Sequence, residues 1–285
     1  MSGAVATPAG RLGTLLSETR KIPAFVRRDF LVNWSYRFAF FSDWVNLVLQ
    51  VGLFYFVGRL VDPRRLPAFG GTRPTYVEFV TIGIAVASFV QIGLSQVVTT
   101  IRNEQLMGTL ESLLVTPTAP TTVQLGSVIY ELLYVPVRTV VFFVLVSVLL
   151  GAHLDLTGLG PAAGVLLVFV PVVWGLGMVS AAGILTFRRG LGLVGLGSIL
   201  LTATSSTYFP IELLPGWLRP LAHFNPITVT LQAMRRALLG HAGWGDVLPA
   251  ILTLAPAAVV SITIGVLAFR LALHRERRRG TLGLY

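Results

Sequence analysis

The 285-residue chain contains no cysteine, so disulfides, thiol nucleophiles and Cys-based metal sites are excluded. Charge is scarce as well, at 12% Asp, Glu, Lys and Arg, about half the ~25% of an average soluble domain. Lysine is almost missing: Lys21 follows Arg20 and not the glycine of a Walker A loop, so the chain offers no P-loop for nucleotide. Four scattered histidines, His153, His223, His241 and His274, show no ligand spacing, and no metal site or catalytic residue is expected. The first 37 residues hold no apolar stretch that could act as the core of a cleaved signal peptide. The N-terminus is therefore expected to be retained.

What the chain has in excess is apolar surface. Hydrophobic residues make up 54% of it and the mean hydropathy is +0.78, more than one core can hide, so lipid must solvate part of the molecule. The 22 basic residues against 12 acidic ones give a formal charge of +10. In a soluble protein that balance would suggest nucleic acid. Here the basic residues flank long apolar runs, so they read as orientation signals in a membrane, with no nucleic-acid partner.

Six segments are long enough, at ~20 residues, to cross a ~30 Å hydrocarbon layer. They run from Phe38 to Leu60, Tyr76 to Thr99, Val123 to Leu150, Pro161 to Phe187, Leu191 to Phe209 and Val247 to Leu273. The expected fold class is an all-α integral membrane protein: an arm and interfacial helix over 1–37, a six-helix domain over 38–273 and a basic tail over 274–285. Kinks are expected at Pro136 and Pro171, and close helix approach at Gly192, Gly195 and Gly197. With both termini inside, fourteen basic residues fall on the inner side and seven on the outer, which places the termini in the cytoplasm. From Ile22 to Phe38, apolar residues mix with Arg27, Arg28, Asp29 and Arg37, the pattern of an interfacial helix. A solvated arm is the alternative.

Two connections are long, an inner one over 100–122 and an outer one over 210–246. In the inner one, Thr109 is a plausible N-cap, Glu111 suits the positive end of a first turn, and Thr116-Pro117 is a stop. Leu110, Leu113 and Leu114 share one face. A two-turn helix cannot stabilise itself, so those leucines need the membrane, the bundle or another protein to cover them. In the outer connection, Asn225 is an N-cap, Pro226 suits the first helical position and Gly240 fits the C′ position. Ile227, Leu231, Met234 and Leu238 then form the apolar face, with Gln232, Arg235 and Arg236 elsewhere. A pathway exit and a structural lid are both compatible with it.

Polar residues within the spans are costly in lipid. Asp43, Asn46 and Gln50 share one face of the first span, Ser88, Gln91 and Ser95 one face of the second, and Ser127, Glu131, Tyr134 and Arg138 one stripe of the third. They line a pathway, or they tie the helices together by hydrogen bonds. The tail His274-Arg-Glu-Arg-Arg-Arg279 reads as a stop-transfer anchor to anionic membrane lipid.

The run Asn103-Glu-Gln-Leu-Met-Gly-Thr-Leu-Glu-Ser-Leu-Leu-Val-Thr-Pro117 resembles the cytoplasmic signature of ATP-binding-cassette type-2 permeases, the membrane subunits of drug, lipid and polysaccharide exporters. Tyr208-Phe-Pro-Ile-Glu-Leu-Leu-Pro-Gly-Trp-Leu218, continuing to Phe224-Asn-Pro-Ile-Thr228 and Arg235, is similar to that family's segment before its last helix. The resemblance implies that Glu104, Gln105, Gly108, Thr109, Leu110, Glu111, Leu113 and Leu114 form a coupling element seated on a cytoplasmic ATPase. That partner would bind ATP and Mg, and this chain would need no cofactor of its own. It also implies a second permease copy, identical or related. Pro210, Glu212, Pro215, Asn225, Pro226 and Arg235 belong to the outer motif. The residues themselves leave two competitors: a proton-driven secondary transporter using Asp43 or Glu131, and an intramembrane lipid enzyme, for which His223 and Glu212 are too sparse. No internal repeat relates the halves, which argues against the inverted-repeat transporters.

Overall fold

A computed structural model of the chain describes residues 37–62, 66–71, 73–106, 137–186 and 190–279, with single positions between 23 and 35 and at 134. Among the described residues it is all-helical. Six apolar helices form the body: α1 (Arg37–Gly58), α2 (Tyr76–Leu106), α3 (Val137–Leu150), α4 (Leu159–Thr186), α5 (Gly190–Ala203) and, last in the chain, α8 (Trp244–Arg279). Between α5 and α8 lie a short α6 (Arg219–Phe224) and the amphipathic α7 (Pro226–Leu239). Tyr76–Ser95, Leu156–Thr186 and Trp244–Arg275 are long and apolar enough to cross a membrane, while Trp44–Gly58, Val137–Leu150 and Val194–Ala203 are shorter apolar stretches.

The six body helices alternate in direction. The end of α1 meets the start of α2, where Gly58 approaches Tyr76. The loop after α3 returns to the same end, where the His153 amide donates to Glu78 at 2.9 Å. The end of α5 is held by Asn225 Nδ2, which donates to the Leu201 carbonyl at 2.8 Å. All of these contacts surround α7. The start of α1, the end of α2 and the end of α8 therefore lie at the far end of the bundle. At about 1.5 Å rise per residue, the 31 residues of α2 span about 46 Å from one end to the other.

The most extensive packing is between α4 and α8, which run parallel. Small residues make the crossing: a Cβ on Gly175 would meet Ser261, and one on Gly265 would meet the Gly175 carbonyl. Ser261 Oγ donates to the Val172 carbonyl at 2.8 Å, next to Pro171, which lies inside α4 and removes one rung of its own ladder. Below the crossing, Met178, Ala181, Ala182 and Leu185 pack on Phe269 and Ala272. The expectation that Gly192, Gly195 and Gly197 mark close approach is not met within this chain, since a Cβ at any of them meets nothing within 4 Å. The intimate glycine contacts lie instead on α2, α4 and α8, where the backbone or side chain of another segment leaves no room for a Cβ.

Before α1, Pro23, Arg27, Phe30, Leu31, Trp34 and Ser35 are helical, in keeping with the helix read from the sequence. Phe30 and Trp34 stack with ring centroids 6.2 Å apart, and both are exposed with Leu31. Pro136 lies outside the described residues.

Candidate functional site

The densest polar construction sits where α7 enters the bundle. Asn225 caps α7, its Oδ1 accepting from the Ile227 amide at 2.9 Å, and Pro226 follows at the first helical position. The same side chain ties α7 to α5, because Nδ2 donates to the Leu201 carbonyl and to Thr204 Oγ1. At the other end Gly240 is the C-cap with φ of −109°, and His241 takes the left-handed conformation with φ of 52°. The sequence reading placed Gly240 one position too far out. Glycine is needed at 240 for space: a Cβ there would meet the backbone of Phe69 and Gly70.

Ten of the fourteen α7 residues are buried, among them Ile227, Leu231, Met234 and Leu238. Among them too is Arg235, at 1% exposure, which corrects its placement away from the buried face of the helix. Its Nε and Nη2 donate to the Phe79 carbonyl at 3.3 and 3.1 Å, Nη2 also donates to the Thr207 carbonyl at 3.2 Å, and Nη1 donates to Ser206 Oγ at 3.3 Å. The guanidinium lies 3.4 Å from the centroid of the Phe79 ring, a desolvated cation–π contact. Burial pushes its pKa down to about 9, and it stays charged at neutral pH. One residue of α7 thus grips the first turn of α2 and the turn after α5.

Local backbone shape makes that grip possible. Ser206 is left-handed, with φ of 63°, an uncommon conformation for a residue other than glycine, and it presents its hydroxyl to Arg235 while Thr207 presents its carbonyl. Ser205, Ser206 and Thr207 are all buried, and Ser205 Oγ and Thr207 Oγ1 share a hydrogen bond of 2.5 Å. Gly83 allows the turn to press on α2, since a Cβ there would collide with the Thr207 carbonyl.

The start of α2 is closed by a capping box that the sequence reading did not use. The Thr75 amide donates to Glu78 Oε2 at 2.8 Å, and the Glu78 amide donates to Thr75 Oγ1 at 3.4 Å. Its signal, Thr-x-x-Glu ahead of an apolar run, was present in the sequence. Nearby, His241 Nδ1 lies 2.6 Å from Asp155 Oδ2. Hydrogen bonds from the Thr157 side chain and amide hold the Asp155 carboxyl below its ordinary pKa, and His241 adds to this.

Two cavities open beside these groups. One of about 500 Å³ is lined by Phe79, Ser206, Arg235 and Arg236, with Glu212 and Asp246 among its other walls. The second, of about 300 Å³, is lined by Arg73, Glu78, His153, Asp155 and His241 with their neighbours.

The outer motif read from the sequence therefore converges on one place. Pro210 is buried, Glu212 and Pro215 are exposed, and Ile211 and Leu214 make a small core with Ala222. Arg219 holds the segment folded, donating to the carbonyls of Leu214 and Glu212 at 3.0 and 2.7 Å. The polar residues of the spans do not gather there. Asp43 lies on α1, its side chain outside those described; Asn46 is exposed and Gln50 half-buried. Ser198 Oγ donates to Gln91 Oε1 at 2.9 Å, joining α5 to α2, and Ser95 donates within its own helix to the Ile92 carbonyl. Arg138 is buried on α3. Glu131 lies outside the described residues, as do Gly108, Thr109, Leu110, Glu111, Leu113 and Leu114. Glu104 and Gln105 fall on the last turn of α2.

Compared with known proteins, residues 20–239 match the family described as ABC-2 type transporter. No curated protein matches the chain.

Proposed function

Because the chain belongs to the ABC-2 type transporter family, we propose that it is the transmembrane permease subunit of an ATP-driven exporter. Its cargo is amphipathic: a hydrophobic drug-like molecule, a lipid or a lipid-linked glycan. Two permeases, identical or related, flank the pathway in the cytoplasmic membrane, each crossing it six times with both termini in the cytoplasm. Each works with a cytoplasmic ATPase subunit that binds ATP and Mg. This chain contributes no covalent chemistry.

The observation that carries the reading is the run of α2. It is one continuous helix from Tyr76 to Leu106. Its first turn is bonded to Arg235, and its last residues lead directly into the segment resembling a coupling element. A displacement applied near Leu106 is thereby delivered to the α7 end as a rigid-body shift of α2, because helix deformation costs more than sliding. Glu104, Gln105, Gly108, Thr109, Leu110, Glu111, Leu113 and Leu114 take the ATPase contact in this scheme. Apolar faces on α1, α3, α5 and α8 supply the lipid-facing and cargo-facing surface.

The test is a pair of coupling variants. Glu111→Lys and Leu113→Asp are expected to leave the permease folded in the membrane while abolishing cargo-stimulated ATP hydrolysis by the complex. Unchanged stimulation in both variants would remove the coupling assignment.

A further inference from the structure

The 500 Å³ cavity at the α7 end has the size of a small-ligand site and an unusual distribution of charge. Its wall includes Arg235, 1% exposed, with four hydrogen bonds to neutral groups and no carboxylate paired with it among the described residues. Those bonds and the Phe79 ring cover the guanidinium, so its charge acts on the cavity through space and not through a free donor. Arg236 stands at the exposed mouth, also without a carboxylate partner among the described residues. A buried cation with no counter-ion is costly, and a phosphate or carboxylate entering the cavity would offset that cost.

The mouth also carries acid. Asp246 is engaged, accepting from the Gly243 amide at 3.0 Å at the start of α8. Glu212 is exposed and its carboxylate makes no hydrogen bond among the described residues. A ligand that satisfies the cavity therefore sets an anionic group beside Arg236 and a cationic group beside Glu212.

The depth of the cavity narrows the choice further. Its walls come from the first turn of α2, the turn after α5 and the first turn of α8, so it lies at the level where the apolar helices end. Trp217 and Trp244 are exposed at the same end, at 74% and 60%, as expected of side chains at a membrane–water boundary. Lipid phosphates lie at that level.

We propose that this cavity binds a zwitterionic phosphate ester of the phosphoethanolamine type, its phosphate on Arg236 over the buried charge of Arg235 and its ammonium on Glu212. Binding rests on the chain being membrane-embedded, which its family establishes, and not on the direction or energy source of transport. A headgroup seated here bridges α2, α7 and α8 and stabilises their junction.

The test uses the purified full-length permease in detergent, with thermal unfolding and direct binding as readouts. The titrants are dihexanoyl phosphatidylethanolamine, soluble glycerophosphoethanolamine, glycerophosphoglycerol and inorganic phosphate. Both ethanolamine compounds are expected to bind and stabilise, and the difference between them tells whether the acyl chains contribute. Arg236→Gln should weaken both by about ten-fold, the loss of one charge-assisted contact. Glu212→Gln should erase the preference for ethanolamine over glycerol while leaving phosphate-dependent binding intact. Both substitutions are at exposed positions and spare the fold. Equal stabilisation by inorganic phosphate or glycerophosphoglycerol in the wild type would overturn the proposal, as would identical binding by the wild type and both variants.

Discussion

Helices α7 and α8 are consecutive in the chain and opposite in how they use polarity. The more polar α7 buries ten of its fourteen residues, including Thr228, Thr230 and Arg235. The strongly apolar α8 leaves Leu248, Leu252, Val259, Val260, Ile264, Leu267 and Leu271 at 50% exposure or more. In water this would be an inverted protein, with leucine outside and arginine inside. In lipid each choice lowers the free energy: exposed leucine meets acyl chains, and polar groups bond to one another where no water competes. The contrast between these neighbours identifies the solvent of the body helices better than overall composition does.

The largest expected effect comes from removing the polar interior of α7. Arg235→Ala deletes four hydrogen bonds and leaves the Thr207 carbonyl and the Ser206 hydroxyl without their donor, a cost of about 3 kcal/mol or more. Thermal unfolding of the detergent-purified protein should show it. Arg235→Lys should not restore stability, because a single ammonium cannot span two carbonyls and a hydroxyl. A comparable loss is expected for Val260→Arg at the middle of α8, where a charge facing hydrocarbon costs about 2.5–3.5 kcal/mol. Val260→Leu at the same exposed position should change membrane insertion and stability by little. If Val260→Arg were as well tolerated as Val260→Leu, the exposed face of α8 would not face lipid.

Smaller effects probe the junctions. Gly175→Leu places a side chain against Ser261 and should cost about 1–3 kcal/mol by forcing α4 from α8. Glu78→Ala removes the capping box and the acceptor for the His153 amide, for about 1–2 kcal/mol. The least is expected from acid. Because the Asp155 pKa is depressed below its ordinary value of 3.8, its contribution is fully present above that value and fades as pH falls beneath it. The acid limb of an unfolding profile should therefore be shallower in Asp155→Asn.

Much of this contrast was legible in the sequence, but unevenly. The body helices followed from hydropathy, because long apolar runs have few alternatives; α1, α2, α4 and α5 start within two residues of the expected positions, but α5 stops at Ala203, short of Phe209, and α2 and α8 run on to Leu106 and Arg279. The cap at Asn225-Pro226 followed from local chemistry. Arg235 was assigned to the wrong side although the signal was available: it lies four residues after Leu231 and three before Leu238, on the buried face. The bias came from treating arginine as a surface residue, which fails where buried carbonyls need donors. The tight positions Gly83, Gly175 and Gly265 could not be read locally, since what crowds each of them lies on a segment remote in sequence. The same holds for the left-handed turn at Ser206, which exists to face an arginine 29 residues later.

The most direct test of the central claim is cargo flux in proteoliposomes containing this permease with or without its ATPase partner. The account predicts flux that requires both the ATPase and ATP, and that is lost in Leu113→Asp. Flux driven by a pH gradient in vesicles lacking any ATPase would contradict it.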